Sequence, residues 1–164
     1  MNVLIRADAS LQIGTGHVMR CITLAKALRQ RGATVSFVSR ESPGHLCDFV
    51  EAEGFVVYRL PYDATQAEGM TDMPGYVRWL EATPDQDAVE TGMAVTASNL
   101  PVDWLVVDHY ALDWNWERAA RNFARNIMVI DDLADRHHDC DLLLDQNLYE
   151  NMKTRYDGLM SPHA

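Results

Sequence analysis

The chain has 164 residues, of which 48% are hydrophobic and 23% charged, the balance of one globular domain with a core of its own. The formal net charge of −10 argues against nucleic acid as a partner, because a duplex binder needs a basic face. No apolar run approaches the roughly 20 residues of a membrane helix, so we expect no membrane partner. We find no secretion signal at the N-terminus, and three cysteines without metal-type pairing fit a reducing compartment, so we predict a cytoplasmic protein.

The first 60 residues predict three strands separated by two helices. A buried strand over residues 2–6 leads through a polar, glycine-containing loop into a helix over 17–31, whose apolar positions recur at helical spacing. Residues 34–39 then alternate between apolar and polar as a strand does. A short helix over 45–53 leads into a strand over 55–58.

The second part of the chain begins with a stretch of no regular pattern, residues 61–82, because prolines and glycines interrupt it. The next helix is predicted over 84–98, with Thr83 as its cap, Pro84 in its first turn and Gln86 closing a capping box. Beyond it we predict a strand, a helix and two strands, at 104–107, 114–125, 127–130 and 142–144.

Strands that alternate with helices predict an α/β fold, a Rossmann-like parallel sheet with helices on both faces. In such sheets ligands bind beyond the carboxyl ends of the strands. Polar residues follow five of the predicted strand ends, at Arg6 to Asp8, Arg40-Glu41, Asp108 to Tyr110, Asp131-Asp132 and Asp145 to Asn147. We therefore expect the functional site at that edge of the sheet.

The loop Gly14-Thr15-Gly16-His17 is predicted to form the centre of this site. A Gly-x-Gly turn between a strand and a helix lets a ligand approach the backbone closely, and the first N–H groups of the helix can bind an anion or a sugar oxygen. His17 stands at the mouth of the turn, which makes it a candidate general base. The alternatives are a purely structural turn and a histidine that only caps the helix.

Three common kinds of site are disfavoured by the motifs. A dinucleotide fingerprint is incomplete, since Met19 takes the third glycine position and Arg40 stands where an acidic residue should close the second strand. No Gly-Lys-Ser/Thr follows the loop, so it is not a Walker loop. Asp131 and Asp132 with residues 137–141 offer metal-ligand types, but neighbouring residues seldom converge on one ion and no known spacing appears. We predict no metal and no cofactor, with Asp132 as an alternative loop anchor.

Several stretches together resemble a known family. They are Ile5 to Ser10, Ile13 to Cys21, Val107 to Tyr110, Ile130 to Arg136 and Cys140 to Asn147. In their order they resemble the PseG family, the UDP-2,4-diacetamido-2,4,6-trideoxy-β-L-altropyranose hydrolases of bacterial pseudaminic acid biosynthesis. The resemblance spans nearly the whole chain. It implies the N-terminal half of a GT-B fold, similar to the MurG-type glycosyltransferases.

The resemblance also implies a reaction and its residues. Water displaces UDP from the anomeric carbon of a UDP-2,4-diacetamido-2,4,6-trideoxy sugar, in a pathway that feeds the decoration of flagellin or surface polysaccharide. It implies His17 as the base for that water and Tyr110 as a second catalytic residue, without metal or cofactor. The substrate-binding candidates are Arg6, Gly14, Thr15, Gly16, Arg20, Asp108 and His109. Asp108 and His109 could also bind only loop backbone.

Residues 1–150 are predicted to be a Rossmann-like catalytic-base domain, and residues 151–164 a tail leading toward a missing C-terminal nucleotide-binding domain. The family resemblance implies that this second domain, in the same or a separate chain, grips most of the nucleotide. We therefore expect the 164 residues alone to bind UDP weakly and to turn over little. The alternatives are half of a GT-B glycosyltransferase and a non-catalytic binding or interaction domain.

Overall fold

The computed structural model describes residues 1–70, 72–73, 75–99 and 101–161. Its strands are β1 (Asn2–Ala7), β2 (Thr34–Arg40), β3 (Val56–Leu60), β4 (Val102–Asp108), β5 (Ala124–Ile130) and β6 (Leu142–Leu144). Its helices are α1 (Gly16–Gln30), α2 (Cys47–Ala52), α3 (Ala64–Gly69), α4 (Pro84–Ser98) and α5 (Trp114–Ala120), and a 3₁₀ helix covers Gly75–Leu80. Across these ranges no helix is long and apolar enough to cross a membrane.

The six strands form one parallel sheet in the order β3-β2-β1-β4-β5-β6. This confirms the predicted α/β, Rossmann-like fold, and it is consistent with one half of a GT-B fold. β1 pairs with β2 on one side and with β4 on the other, so the strand order reverses between β1 and β4. In open parallel sheets that reversal opens a crevice beyond the strand ends, where ligands bind.

Helices cover both faces of the sheet, as predicted. Val3 and Ile5 of β1 pack with Val18 of α1 in one buried cluster. Leu4, which points to the opposite face, packs with Trp116 of α5 in the other. Alternate residues of the central strand therefore belong to two separate cores, which hold α1 and α2 on one side and α4 and α5 on the other.

The prediction that α5 runs to residue 125 is wrong at its C-terminal end. The helix ends at Ala120, and β5 begins only four residues later at Ala124. Ala124 is the register partner of Val102 in β4. The last residues of the predicted helix therefore pair in the sheet instead. The i→i−3 hydrogen bond from Phe123 N to Ala120 O, 3.0 Å, closes the turn between them.

The stretch 61–82, which showed no regular pattern in the sequence, contains α3 and the 3₁₀ helix. Asp63 caps α3 by accepting hydrogen bonds from Thr65 N at 2.9 Å and Gln66 N at 3.2 Å. Pro74, one of the predicted breakers, lies outside the described residues. The predicted cap of α4 is confirmed, since Thr83 Oγ1 accepts from Gln86 N at 3.2 Å.

The predicted capping box of α4 is wrong in one respect. The Gln86 side chain bonds to Gln66 and to Glu90, not back to the Thr83 backbone. The close approach of α3 offers Gln86 a partner that the sequence pattern does not show.

The tail predicted over 151–164 folds back onto the edge of the sheet in its described part. Tyr156 Oη donates to Asp131 Oδ2 at 2.9 Å, and Arg155 Nε donates to Asp145 Oδ2 at 2.9 Å. Residues 162–164 lie outside the described ranges. The division into a domain over 1–150 and a tail stays a prediction.

Candidate active site

His17 and Asp108 meet at the carboxyl edge of the sheet. Asp108 ends β4, beside Ala7 of β1, and His17 is the second residue of the helix that follows β1. The sheet register therefore brings together two residues 91 positions apart, with His17 Nδ1 2.6 Å from Asp108 Oδ1. The Asp108 side chain is fully buried and that of His17 is 7% exposed.

Arg20, one helical turn after His17, binds the same carboxylate. Its Nε donates to Asp108 Oδ2 and its Nη2 to Asp108 Oδ1, both at 2.5 Å. Burial by itself raises the pKa of Asp108, but the hydrogen bonds from Arg20 and His17 outweigh it and hold that pKa below its usual value. Asp108 is therefore a buried carboxylate anion shared by an arginine and a histidine.

This arrangement selects one tautomer of His17. Two bare acceptors do not approach to 2.6 Å, so Nδ1 carries the proton and donates it to Asp108 Oδ1. Arg20 Nη2 lies 3.1 Å from the same Nδ1, but a protonated nitrogen has no lone pair to accept from it. Nε2 is then the ring nitrogen that can accept a proton.

Tyr110 lines the other side of the His17 ring. The two ring centroids are 4.6 Å apart, with the rings edge to face. Tyr110 Oη donates to Asp132 Oδ1 at 2.8 Å, and burial together with this hydrogen bond raises the pKa of Tyr110 to about 12. Asp132 Oδ2 accepts from Asn147 Nδ2 at 3.1 Å and lies 3.7 Å from Arg20 Nη1. The residues after β4, β5 and β6 thus meet, as the polar strand ends predicted.

Arg6 does not line the crevice. Its side chain is fully buried, with Nη1 2.6 Å from Asp8 Oδ1 and both Nε and Nη2 on Asp87 at 3.1 and 2.6 Å. Arg40 Nη2 reaches the same Asp87 carboxylate at 2.8 Å. These ion pairs lie beneath the site and tie β1 and β2 to α4.

His109 also points inward. Its Nδ1 accepts a hydrogen bond from Ala111 N at 3.0 Å, so the proton is on Nε2, which lies 3.6 Å from Asp8 Oδ2. Burial lowers the pKa of His109 to about 4, and the charge of Arg6 acts in the same direction against that of Asp8. His109 is therefore a buried, neutral histidine.

The glycine loop leaves its backbone open. Gly14 has a φ of 77°, in the left-handed region that favours glycine, and Gly14 N donates to Ser10 O at 2.9 Å. A Cβ placed on Gly14 or on Gly16 would meet no atom within 4 Å. Thr15 is the N-cap of α1, and its side chain makes no capping hydrogen bond. Thr15 therefore leaves the first N–H groups of α1 uncapped, beside two glycines with open space at their Cβ positions.

The sequence patterns do not indicate some residues near the site, because these lie in the unpatterned stretch 61–82 and at the start of α4. Tyr76 and Trp79 of the 3₁₀ helix place their ring centroids 5.1 and 6.3 Å from that of Tyr110. Asp87, which holds Arg6, has only the sequence signal of an acidic residue in a first helical turn. The spacing of Tyr76 and Trp79, three residues apart between prolines and glycines, is the one sequence signal that could have indicated these aromatic contacts with Tyr110.

The acidic and histidine cluster after β5 forms internal ion pairs. Asp131 Oδ1 lies 2.8 Å from Arg136 Nη1, and Asp131 Oδ2 accepts from Ala134 N at 2.9 Å. His138 Nδ1 lies 2.7 Å from Glu117 Oε1. Over the part of the chain that the structure describes, no group of three or more His, Cys, Asp or Glu residues is arranged to hold a metal ion.

The chain is similar to a curated hydrolase of Campylobacter jejuni. That protein is named a UDP-2,4-diacetamido-2,4,6-trideoxy-beta-L-altropyranose hydrolase, and it is 28% identical to this chain over 161 residues. The match covers 98% of this chain but 46% of the hydrolase, so the chain spans about half the length of this relative. It confirms the resemblance seen in the sequence. No protein-family model matches the chain.

Proposed function

We propose that this chain is the part of a nucleotide-sugar hydrolase that supplies the catalytic base. The observation that carries the proposal is the contact of 2.6 Å between His17 Nδ1 and Asp108 Oδ1, at the strand-order reversal where ligands of such sheets bind. The similarity to the Campylobacter hydrolase supports the substrate class, a UDP-2,4-diacetamido-2,4,6-trideoxy sugar.

In the proposed reaction a water oxygen attacks the anomeric carbon, and His17 Nε2 accepts a proton from that water. The bond between the anomeric carbon and the UDP oxygen breaks, and UDP leaves with the electron pair. Asp108 stabilises the imidazolium that forms, because its carboxylate already accepts the Nδ1 proton. The N–H groups of the first turn of α1, at Gly16 and His17, stabilise the charge that develops on sugar or phosphate oxygens.

The remaining candidates take supporting parts in this proposal. Arg20 holds Asp108 in place and adds positive charge near the leaving group. The Tyr110 hydroxyl donates its hydrogen bond to Asp132 Oδ1, so the lone pairs of its oxygen can still accept from a sugar hydroxyl or amide. Arg6 and His109, both buried beneath the site, position it and do not contact substrate.

A second domain is part of the proposal, because the chain spans 46% of its relative. In the GT-B arrangement that domain binds the nucleotide. We therefore expect the 164 residues alone to bind UDP weakly and to hydrolyse the UDP-sugar slowly. Calorimetric titration of UDP into the chain, with a parallel assay of UDP release, measures both. Robust turnover by the chain alone would contradict this division of the site.

The catalytic test mixes the chain with the other half of the Campylobacter hydrolase and measures UDP release from the diacetamido sugar nucleotide. We expect His17→Ala to lower the rate by about 10²- to 10⁴-fold, the usual contribution of a general base. His137→Ala is the control, since His137 is exposed and lies outside the site. An unchanged rate in a folded His17→Ala protein would refute the assignment. Free sugar as the product separates hydrolysis from transfer to another acceptor.

A further inference from the structure

A second polar feature is bordered by the loop that leads into His17 and has no part in the proposed reaction. It is a cavity of about 260 Å³, lined by Gln12, Tyr62, Ala67, Glu68, Arg78 and Glu81. Gln12 belongs to the loop that continues into His17. Arg78 belongs to the 3₁₀ helix whose Trp79 ring lies 6.3 Å from Tyr110. The cavity is therefore built in part from the loop and the 3₁₀ helix that also border the His17 site.

Glu81 is the unusual residue of the cavity. It is 5% exposed, and its Oε2 has no hydrogen-bond partner among the described residues, although the Ser42 hydroxyl bonds to the same carboxyl group. Burial raises the pKa of Glu81, and the charge of Asp8 acts in the same direction, against Ser42 and Arg40. A buried acceptor without a partner is unfavourable in the free protein, and it gains most from a ligand that donates a hydrogen bond.

The backbone conformation of Glu81 also indicates a ligand site. Its φ is 55°, in the left-handed region that residues other than glycine, asparagine and aspartate rarely adopt. The conformation persists because Leu80 and Ala82 on either side are fully buried and fix the chain. Strained residues of this kind concentrate at ligand sites, where the strain holds a side chain in a required position.

We propose that this cavity binds an acetamido group of the sugar, with Glu81 Oε2 accepting a hydrogen bond from the amide N–H. Arg78 donates to the amide carbonyl oxygen, while Ala67 and the ring of Tyr62 contact the methyl group. An acetamido group carries a donor, an acceptor and a methyl, and the lining offers a partner for each. The inference rests on the proposed function for its assignment to a nucleotide sugar.

Other ligand groups fit the lining less well. A phosphate or carboxylate meets two carboxylates, Glu68 and Glu81, against one guanidinium. A simple hydroxyl can donate to Glu81 and accept from Arg78, but it leaves the apolar part of the lining without a contact. An ammonium group is attracted by the two carboxylates, but it has no acceptor to offer Arg78. The neutral amide is the group that uses all three features.

The test is a nitrogen-15 NMR titration of the 164-residue chain with N-acetyl-D-glucosamine and, in parallel, with D-glucose. These probes share a pyranose ring and differ at one carbon in the acetamido group. We expect N-acetylglucosamine to shift the backbone amide signals of Gln12, Arg78 and Glu81, and glucose at the same concentration to leave them in place. Glu81→Gln, which keeps the shape but replaces a carboxylate oxygen by a donor, should raise the Kd for N-acetylglucosamine about tenfold.

Glu150→Gln is the control, because it makes the same change in charge at an exposed carboxylate outside the cavity and should change the Kd by less than about twofold. Equal shifts with both sugars, no shift at these amides, or an unchanged Kd in Glu81→Gln would each overturn the inference. If Glu81→Gln does not fold, the comparison of the two sugars on the unmodified chain still decides. The titration needs no turnover, so it can fail while the His17 assay succeeds, and the reverse.

Discussion

Asp108 decides which nitrogen of His17 is free, because its buried carboxylate holds the Nδ1 proton. In Asp108→Asn, one carboxylate oxygen becomes an amide donor that faces either His17 or Arg20, so the Nδ1–H tautomer loses support. We expect nitrogen-15 NMR to show a shift of His17 towards the Nε2–H tautomer, and UDP release in the reconstituted hydrolase to fall by roughly 10²- to 10⁴-fold. Asp135→Asn, at an exposed carboxylate, is the control. An unchanged tautomer in Asp108→Asn would contradict the assignment.

His109 should make the fold sensitive to acid. Its pKa is lowered to about 4 by burial, from an ordinary value of 6.5, so the unfolded chain binds its proton more readily than the folded one. The stability that neutral His109 contributes is therefore full above pH 6.5 and is lost as the pH falls towards 4. Between those limits we expect a loss of roughly 3 kcal/mol in the free energy of unfolding.

His109→Asn removes that titration while its amide oxygen can still accept from Ala111 N. Urea unfolding at both ends of that pH range measures the difference, which should shrink by most of this amount in the variant. His45→Asn is the matched control, because His45 Nδ1 accepts the backbone N–H of Cys47 in the same local pattern but at a half-buried position. If the pH difference is the same in His109→Asn and in the unmodified chain, His109 is not the acid-sensitive group.

The cap of α4 is an element-scale feature that the sequence predicts and the structure confirms. Thr83 Oγ1 accepts from Gln86 N at 3.2 Å, so Thr83→Ala leaves a first-turn N–H without its partner. We expect the free energy of unfolding, measured by urea denaturation, to fall by about 1 kcal/mol. Thr96→Ala is the control, because Thr96 is exposed and its Oγ1 donates to Gly92 O within the same helix without capping it. Equal losses in the two variants would show that the cap contributes nothing specific.

Helix α4 could be predicted from the sequence to the residue because its signals are local: a capping threonine and a proline in the first turn. The end of α5 could not, because it depends on the pairing of Ala124 with Val102, 22 positions away in the chain. Helix α3 was missed for the opposite reason. It has six residues, too few for a helical period to show between prolines and glycines.

At the scale of the whole molecule, the sequence predicted the edge of the sheet that carries the candidate site but not the partners within it. Polar residues after five of the predicted strands point to that edge whatever the strand order. The contact of His17 with Asp108 depends on β1 lying next to β4, and no local pattern contains that order. Glu81 was missed because its surroundings come from β2, α3 and the 3₁₀ helix, which meet only in the folded chain.

Asp87 joins three parts of the molecule beneath the site. Its buried carboxylate accepts from Arg6 Nη2 at 2.6 Å, from Arg40 Nη2 at 2.8 Å and from Trp116 Nε1 at 3.1 Å, and so links β1, β2 and α5 to α4. Asp87→Ala leaves two buried guanidinium groups short of a counter-charge, and removing one partner of a buried ion pair typically costs about 3–5 kcal/mol. That loss is a large share of the roughly 5–15 kcal/mol that stabilises a domain, so we expect a much lower urea midpoint or an unfolded protein.

Asp85→Ala is the control for Asp87→Ala, because Asp85 lies in the same first turn of α4 and is exposed. It should cost no more than about 1 kcal/mol, the usual interaction of an acidic side chain with a helix N-terminus. Circular dichroism during urea unfolding compares the two variants directly. Similar losses in both would mean that Arg6 and Arg40 find other partners. These ion pairs would then not be what holds β1 and β2 against α4.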